Sequence, residues 1–171
     1  MIIDPEITEK FVSEELKGWR IKKNKDVIME VVEPEIHEVS FFNIELKPIV
    51  KKDVELYITQ EEKKKRLKDL IHLNLHDAAI IWKYKEDLPL SWKQKKEKEP
   101  TIYICFEDTD VEYKKGKVKK GAKILFYHSV GKWWIDFLEI GSTIHSGLVW
   151  ATYKTQPQPF LCQTQGISVS A

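Results

Sequence analysis

Cysteine is scarce in this 171-residue chain, and no pattern puts it to chemical use. Cys105 and Cys162 stand far apart with no CxxC pair, which excludes a structural zinc cluster and a disulfide-rich scaffold and leaves a single disulfide between them open. No apolar run reaches the roughly 18 residues that a membrane span needs. The start, MIIDPEITEKF, lacks the basic residues and apolar core of a secretory signal, so the chain is expected neither to span a membrane nor to be secreted. GxSxG, GxxxxGK[ST] and HExxH are all absent, which removes support for an α/β-hydrolase, a P-loop enzyme and a zinc protease. A repeat of fixed period is also missing, and with it the case for a propeller or solenoid. Net charge is only +1, which argues against a dedicated polyanion binder.

What is present fits one domain with one core. Hydrophobic residues make up 42% and aromatic residues 11%, and a chain of this length buries roughly 70% of its unfolded surface without a staple. The charge is carried mainly by Lys and Glu, Ile is common, and Gly and Pro number seven each. This bias is shared by hyperthermophile proteins and by products of AT-rich mesophile genomes.

The first element reads as a short amphipathic helix: Asp4 caps it, Pro5 suits its first turn, Ile7, Phe11, Val12 and Leu16 form one stripe, and Gly18 stops it. Strands are expected at Val27 to Val32, Ile36 to Leu46 and Asp53 to Ile58. Thr59 and Glu62 have capping-box spacing, and Leu67, Leu70, Ile71, Leu75, Ala78 and Trp82 then recur at helical intervals, although the run from Ala79 also suits a strand. Beyond a charged connector, Trp92 to Pro100, come five more strands: Thr101 to Phe106, Val111 to Lys115, Lys123 to His128, Lys132 to Ile140 and Gly147 to Lys154. Turns are read at Asp108 to Asp110, Gly116, Gly121, Val130 with Gly131, and Gly141 to Gly147, and their shortness demands antiparallel neighbours. The fold class expected is mainly β, an antiparallel β-sandwich of jelly-roll type with an N-terminal helix and one inserted helix, with α+β as the alternative. Residues 1–26 would form a helical arm, 27–154 the sandwich with its insertion near 59–78, and 155–171 an uncharged tail.

Several constellations invite chemistry. His72 and His76 stand four apart, a spacing that places both on one helix face, yet a third ligand is missing and they read as ordinary helix histidines. Glu107, Asp108, Asp110 and Glu112 form an acidic cluster in what reads as a hairpin turn, where Asp bonds its own backbone. Ser142, His145 and Ser146 lie between two glycines in a loop whose hydroxyls suit backbone bonding. Lys115, Lys117, Lys119 and Lys120 span a hairpin tip and are placed to contact phosphates. Neither stacking aromatics of an RNA-binding type nor a cofactor fingerprint accompanies them, so nucleic acid is not the primary partner expected and no metal or cofactor is. An enzyme reading would need His128, Asp136, His145 and His72 to share a pocket.

From Ile140 to Ala171 the only charged residue is Lys154, in a chain that is 32% charged. A stretch this poor in charge but rich in Gln, Ser and Thr suits docking against protein, with Gln156, Pro157, Phe160, Leu161, Ile167 and Val169 as contacts. KILFYH and KWWIDFLEI carry apolar side chains at both parities and need cover on both faces. Trp133, Trp134 and Trp150 are therefore candidates for a subunit interface. The order of an arm (Met1 to Asp26), the early strands in FFNIELKPIVKKDVELYI, a helical insertion from Thr59 to about Leu75, five later strands and a polar tail resembles the single jelly-roll capsid proteins of icosahedral viruses. That resemblance implies a non-catalytic coat subunit, self-assembly into a shell alone or with other coat proteins, location in a virion and, with the compositional bias, a thermophilic archaeal host. Outside that family a cytoplasmic location is expected. A carbohydrate- or nucleic-acid-binding module on the same scaffold is the alternative.

Overall fold

Strands that are apolar at both parities need cover on both faces, and the chain supplies both covers itself. The computed structural model describes residues 6–16, 27–31, 43–93, 101–115 and 118–154, with backbone alone at 27–31, 113–115 and 118–120. Its centre is an antiparallel meander of β5 (Tyr103–Lys115), β6 (Val118–Ser129) and β7 (Lys132–Glu139). Beside it β9 (Leu148–Tyr153) lies parallel to the start of β5 and antiparallel to β2 (Ile44–Pro48), giving the order β2-β9-β5-β6-β7. Two further strands complete a seven-stranded sheet: β1 (Val27–Val31) pairs with the far half of β5, and β4 (Ile71–His72) pairs with the end of β9. A separate ribbon joins β3 (Tyr57–Ile58) to β8 (Ile144–His145). The parallel pair corrects the all-antiparallel expectation. After β7 the chain crosses through β8 before β9 meets β5, and that detour lets β9 run the same way as β5.

Parity sorts the two faces. Ile104, Phe106, Ile124, Phe126, Trp133, Ile135 and Phe137 point to one side and meet two helical elements. These are α1 (Glu6–Lys10), which continues as a π-helical turn over Phe11–Leu16, and α3 (Leu75–Lys83). Phe11, Trp82 and Phe106 all pack on Phe126, with ring centroids 6.1, 5.1 and 4.6 Å away. Ile7, Phe11 and Leu16 are buried in this cluster, so the described part of the N-terminal stretch belongs to the core. On the other side Cys105, Leu125, Leu148 and Trp150 pack under α2 (Gln60–Leu67) and the β3–β8 ribbon, through Leu67, Ile58 and Ile144. The architecture is thus strand-rich with helices. Among the described residues, a helix and a short ribbon occupy the place where a sandwich would put its second sheet. No helix of the described residues is long and apolar enough to cross a membrane.

The single inserted helix expected near 59–78 is two. Thr59 caps α2, its Oγ1 accepting from the Glu62 N–H at 3.2 Å, but Glu62 turns away from the box to accept from Arg66 Nε at 2.7 Å. The helix ends at Leu67, β4 intervenes, and Asn74 starts α3 with a full capping box: its Oδ1 accepts from Asp77 N–H while Asp77 Oδ2 accepts from Asn74 N–H. Ala79 to Lys83 is therefore helix, and Leu75 to Trp82 is buried residue by residue because α3 packs against both the sheet and α1.

The acidic cluster, expected in a turn, lies inside β5. Pairing with β6 jumps from Phe106↔Ile124 to Val111↔Ala122, so four residues of β5 oppose one of β6. Thr109 is fully buried in this bulge, where its hydroxyl donates to Phe106 O and accepts the Ile124 N–H at 2.9 Å, filling the gap in the ladder. Gly121, also expected in a turn, sits within β6. A Cβ there would lie 2.6 Å from Ile140 Cδ1, so the present course of the exposed Ile140 side chain over β6 uses the space that a side chain at 121 would fill.

Candidate functional site

The face covered by α2 leaves one end of the sheet open, and aromatic side chains line it. Tyr103 of β5 opposes Tyr127 of β6, which opposes Trp134 of β7, and parity puts all three on that face. The Tyr103 and Tyr127 centroids are 5.2 Å apart, Tyr127 and Trp134 lie 6.5 Å apart at only 16°, and His145 of β8 stands edge-on to Tyr103 at 6.3 Å. The result is a cross-strand row of four rings, half-buried in the middle and exposed at Trp134 (41%) and His145.

Each end of the row is held by the backbone. The Trp134 indole N–H donates to Ser129 O at 3.2 Å, while His145 Nδ1 accepts from the Gly147 N–H at 3.2 Å. That bond puts the neutral imidazole proton on Nε2, which leaves a donor pointing away from the backbone. Burial, reinforced by Asp136 and Tyr103, pushes the Tyr127 phenol up from its ordinary value, so it remains a donor at neutral pH. Between β6 and β7 the two-residue turn uses Val130 (φ 51°) and Gly131 (φ 70°). A hairpin of this type demands positive φ at both positions, and a β-branched residue is strained there. Val130 is moreover 75% exposed, next to the exposed end of the row.

At the other end of the same face lies a polar network. Lys63 of α2 is 7% exposed, and its ammonium donates to Glu107 Oε1 at 2.8 Å and sits 5.6 Å from the centre of the Trp150 ring. Glu107 Oε2 accepts the Trp150 indole N–H at 2.8 Å.

These positions redraw the sequence-derived candidates. Trp150 is fully buried within this core, bonded to Glu107, and presents no surface to a neighbour; the subunit-interface assignment fails for it. Trp133 is buried on the opposite face beside His128, at 5.3 Å. Only Trp134 is open. Lys115, Lys119 and Lys120 lie on the β5–β6 hairpin, where Lys114↔Lys119 and Tyr113↔Lys120 pair, and Lys117 lies outside the described residues. Gln156, Pro157, Phe160, Leu161, Ile167, Val169 and Cys162 lie outside them too, whereas Cys105 is buried as a free thiol. His72 and His76 share no helix face: His72 is on β4, in hydrogen-bond contact with Leu67 O, and His76 on α3 meets Thr8 Oγ1 at 2.8 Å. His128 and Asp136 are on opposite faces of the sheet, so the enzyme constellation is not assembled. Among the described residues no three His, Cys, Asp or Glu side chains converge as a metal site would require.

The row escaped the sequence reading because it needs register. Tyr103, Tyr127 and Trp134 are unremarkable one by one and become neighbours only when three strands align. Compared with known proteins, the chain matches no protein-family model, no curated protein and no solved structure.

Proposed function

We propose that this chain is a non-catalytic recognition module that holds the ring face of a neutral carbohydrate on the aromatic row. The observation that carries the reading is the alignment of Trp134, Tyr127, Tyr103 and His145 on the open end of one face. Aromatic faces attract the C–H face of a sugar, and the Tyr127 hydroxyl, His145 Nε2–H and Asp136 supply polar contacts at its edges. A polyanion fits the row less well. The lysines of the β5–β6 tip lie up to about 40 Å of strand path from Tyr103, at roughly 3.3 Å per residue, too far to neutralise phosphates bound at the row. Strand positions near Trp134 carry one base, Lys132, against one acid, Asp136.

The test is a titration with a panel of neutral oligosaccharides, read by tryptophan fluorescence and calorimetry. Saturable binding that weakens about 2- to 10-fold in Trp134→Ala is expected, as an aromatic contact is worth about 0.5–1.5 kcal/mol. Silence across the panel would overturn the reading, as would salt-dependent binding of single-stranded RNA that is lost in the same variant.

A second reading, the jelly-roll coat subunit, keeps one specific observation in its favour: the almost charge-free stretch after Ile140. Its other support is weaker, because the chain's own helices and ribbon cover both faces of the late strands.

A further inference from the structure

Next to the Lys63–Glu107–Trp150 network, α2 and the edge of the sheet enclose a pocket of about 210 Å³. Its polar wall holds Gln60, Lys63, Lys64 and Lys123, its apolar wall Leu138 and Ile140, and Glu107 and Glu139 complete it. From this cavity we infer a second binding site, for a small monocarboxylate with a short apolar body.

Lys63 carries the inference. Its side chain is 8% exposed, yet Glu107 takes only one of its three N–H bonds among the described residues. Lys123, 13% exposed, is similarly committed to one partner, Asp110. An ion pair is costly to bury, and a core that needed only stability would hold apolar side chains there. Placed in the wall of a pocket, two ammonium groups with donors to spare offer charge-assisted bonds to an oxyanion. Both oxygens of Glu107 are occupied, by Lys63 and by Trp150, so this carboxylate braces the lysine. The three lysines of the lining are matched by Glu107, Glu139 and, through Lys123, Asp110, so the site is close to charge balance and admits a monoanion at less electrostatic cost than a phosphate dianion. Leu138 and Ile140 then meet the ligand's short chain. Gln60 donates its amide to Ser142 O, a bond that ties the pocket rim to the segment before β8. The site is separate from the aromatic row: Lys123 and Tyr127 are four residues apart on β6, about 13 Å. The inference therefore stands or falls independently of the carbohydrate reading.

Amide chemical-shift mapping on the full chain tests it, with butyrate, butyramide and inorganic phosphate as probes. Butyrate is expected to give saturable shifts at Gln60, Lys123, Leu138 and Ile140. Butyramide, which has the same shape without the charge, should bind at least 10-fold more weakly, and phosphate more weakly than butyrate. Lys123→Met, whose partner Asp110 is largely exposed, should fold and lose at least 10-fold in butyrate affinity. The double variant Lys63→Met/Glu107→Gln removes both buried charges together and should also fold without binding. Equal shifts with butyramide, tighter binding of phosphate, or unchanged affinity in Lys123→Met would each overturn the assignment, as would the absence of saturable shifts.

Discussion

Glu107 shows how one carboxylate can tie a helix to a sheet. It accepts from Lys63 of α2 and from the Trp150 indole of β9 at once. Trp150→Phe keeps most of the packing but strands one oxygen, and a loss of about 1–3 kcal/mol is expected in urea unfolding. Glu107→Gln leaves the Lys63 charge buried and unpaired and should cost about 3 kcal/mol or more, whereas Lys63→Met/Glu107→Gln should cost less than that single change. A double-mutant cycle reads the difference directly. The opposite sign is expected at Val130. Asn tolerates its left-handed conformation far better, so Val130→Asn should stabilise the β6–β7 hairpin by about 1 kcal/mol, seen as a higher thermal midpoint. Which tryptophan was buried, and where, could not be read one residue at a time. Adjacent Trp133 and Trp134 must face opposite ways on a strand, but only strand order decides which face stays open.

Elements were legible where a local signal starts or stops them. Thr59 caps α2, and Val130 with Gly131 turns β6 into β7. The break between α2 and α3 was missed, although Asn74 with Asp77 three residues on is a capping signature as clear as the one at Thr59. Continuous helical spacing of apolar residues on both sides masked it. Asn74→Ala should cost about 1 kcal/mol and should lower the protection of α3 amides from hydrogen exchange before that of the sheet. Arg66 of α2 clamps Glu55, in the segment before β3, through two hydrogen bonds at 2.7 Å, and this pair has a pH signature. Glu55 is held near 2, from an ordinary value of 4.5, chiefly by its hydrogen bonds from the Arg66 side chain and by the Lys51 N–H. A depressed carboxylate stabilises fully above its unfolded pKa, so this contribution is present above pH 4.5 and fades as pH falls toward 2. Glu55→Gln should flatten that limb of the urea midpoint against pH, and 1 M salt should reduce the difference between variant and parent.

At the scale of the molecule, a strand-rich chain with helices was visible in the sequence, because parity and turn residues are local. The parallel β5–β9 pair and the bulge that bends β5 were not, since both depend on residues distant in sequence. The coat-subunit reading makes its own prediction here. Deleting residues 156–171 should abolish large particles in light scattering while leaving the unfolding midpoint unchanged; a parent chain that sediments as a monomer ends that reading. The strand order β2-β9-β5-β6-β7 also imposes a schedule on synthesis. The meander can zip up as soon as residue 139 leaves the ribosome, but among the described strands β2 has its partner only when Leu148–Tyr153 arrives to slot between it and β5. Until then the edges of β2 and of the start of β5 that β9 covers stand open on the nascent chain, so the exposure to aggregation lasts until β9 emerges, and slowing elongation before residue 148 would lengthen it.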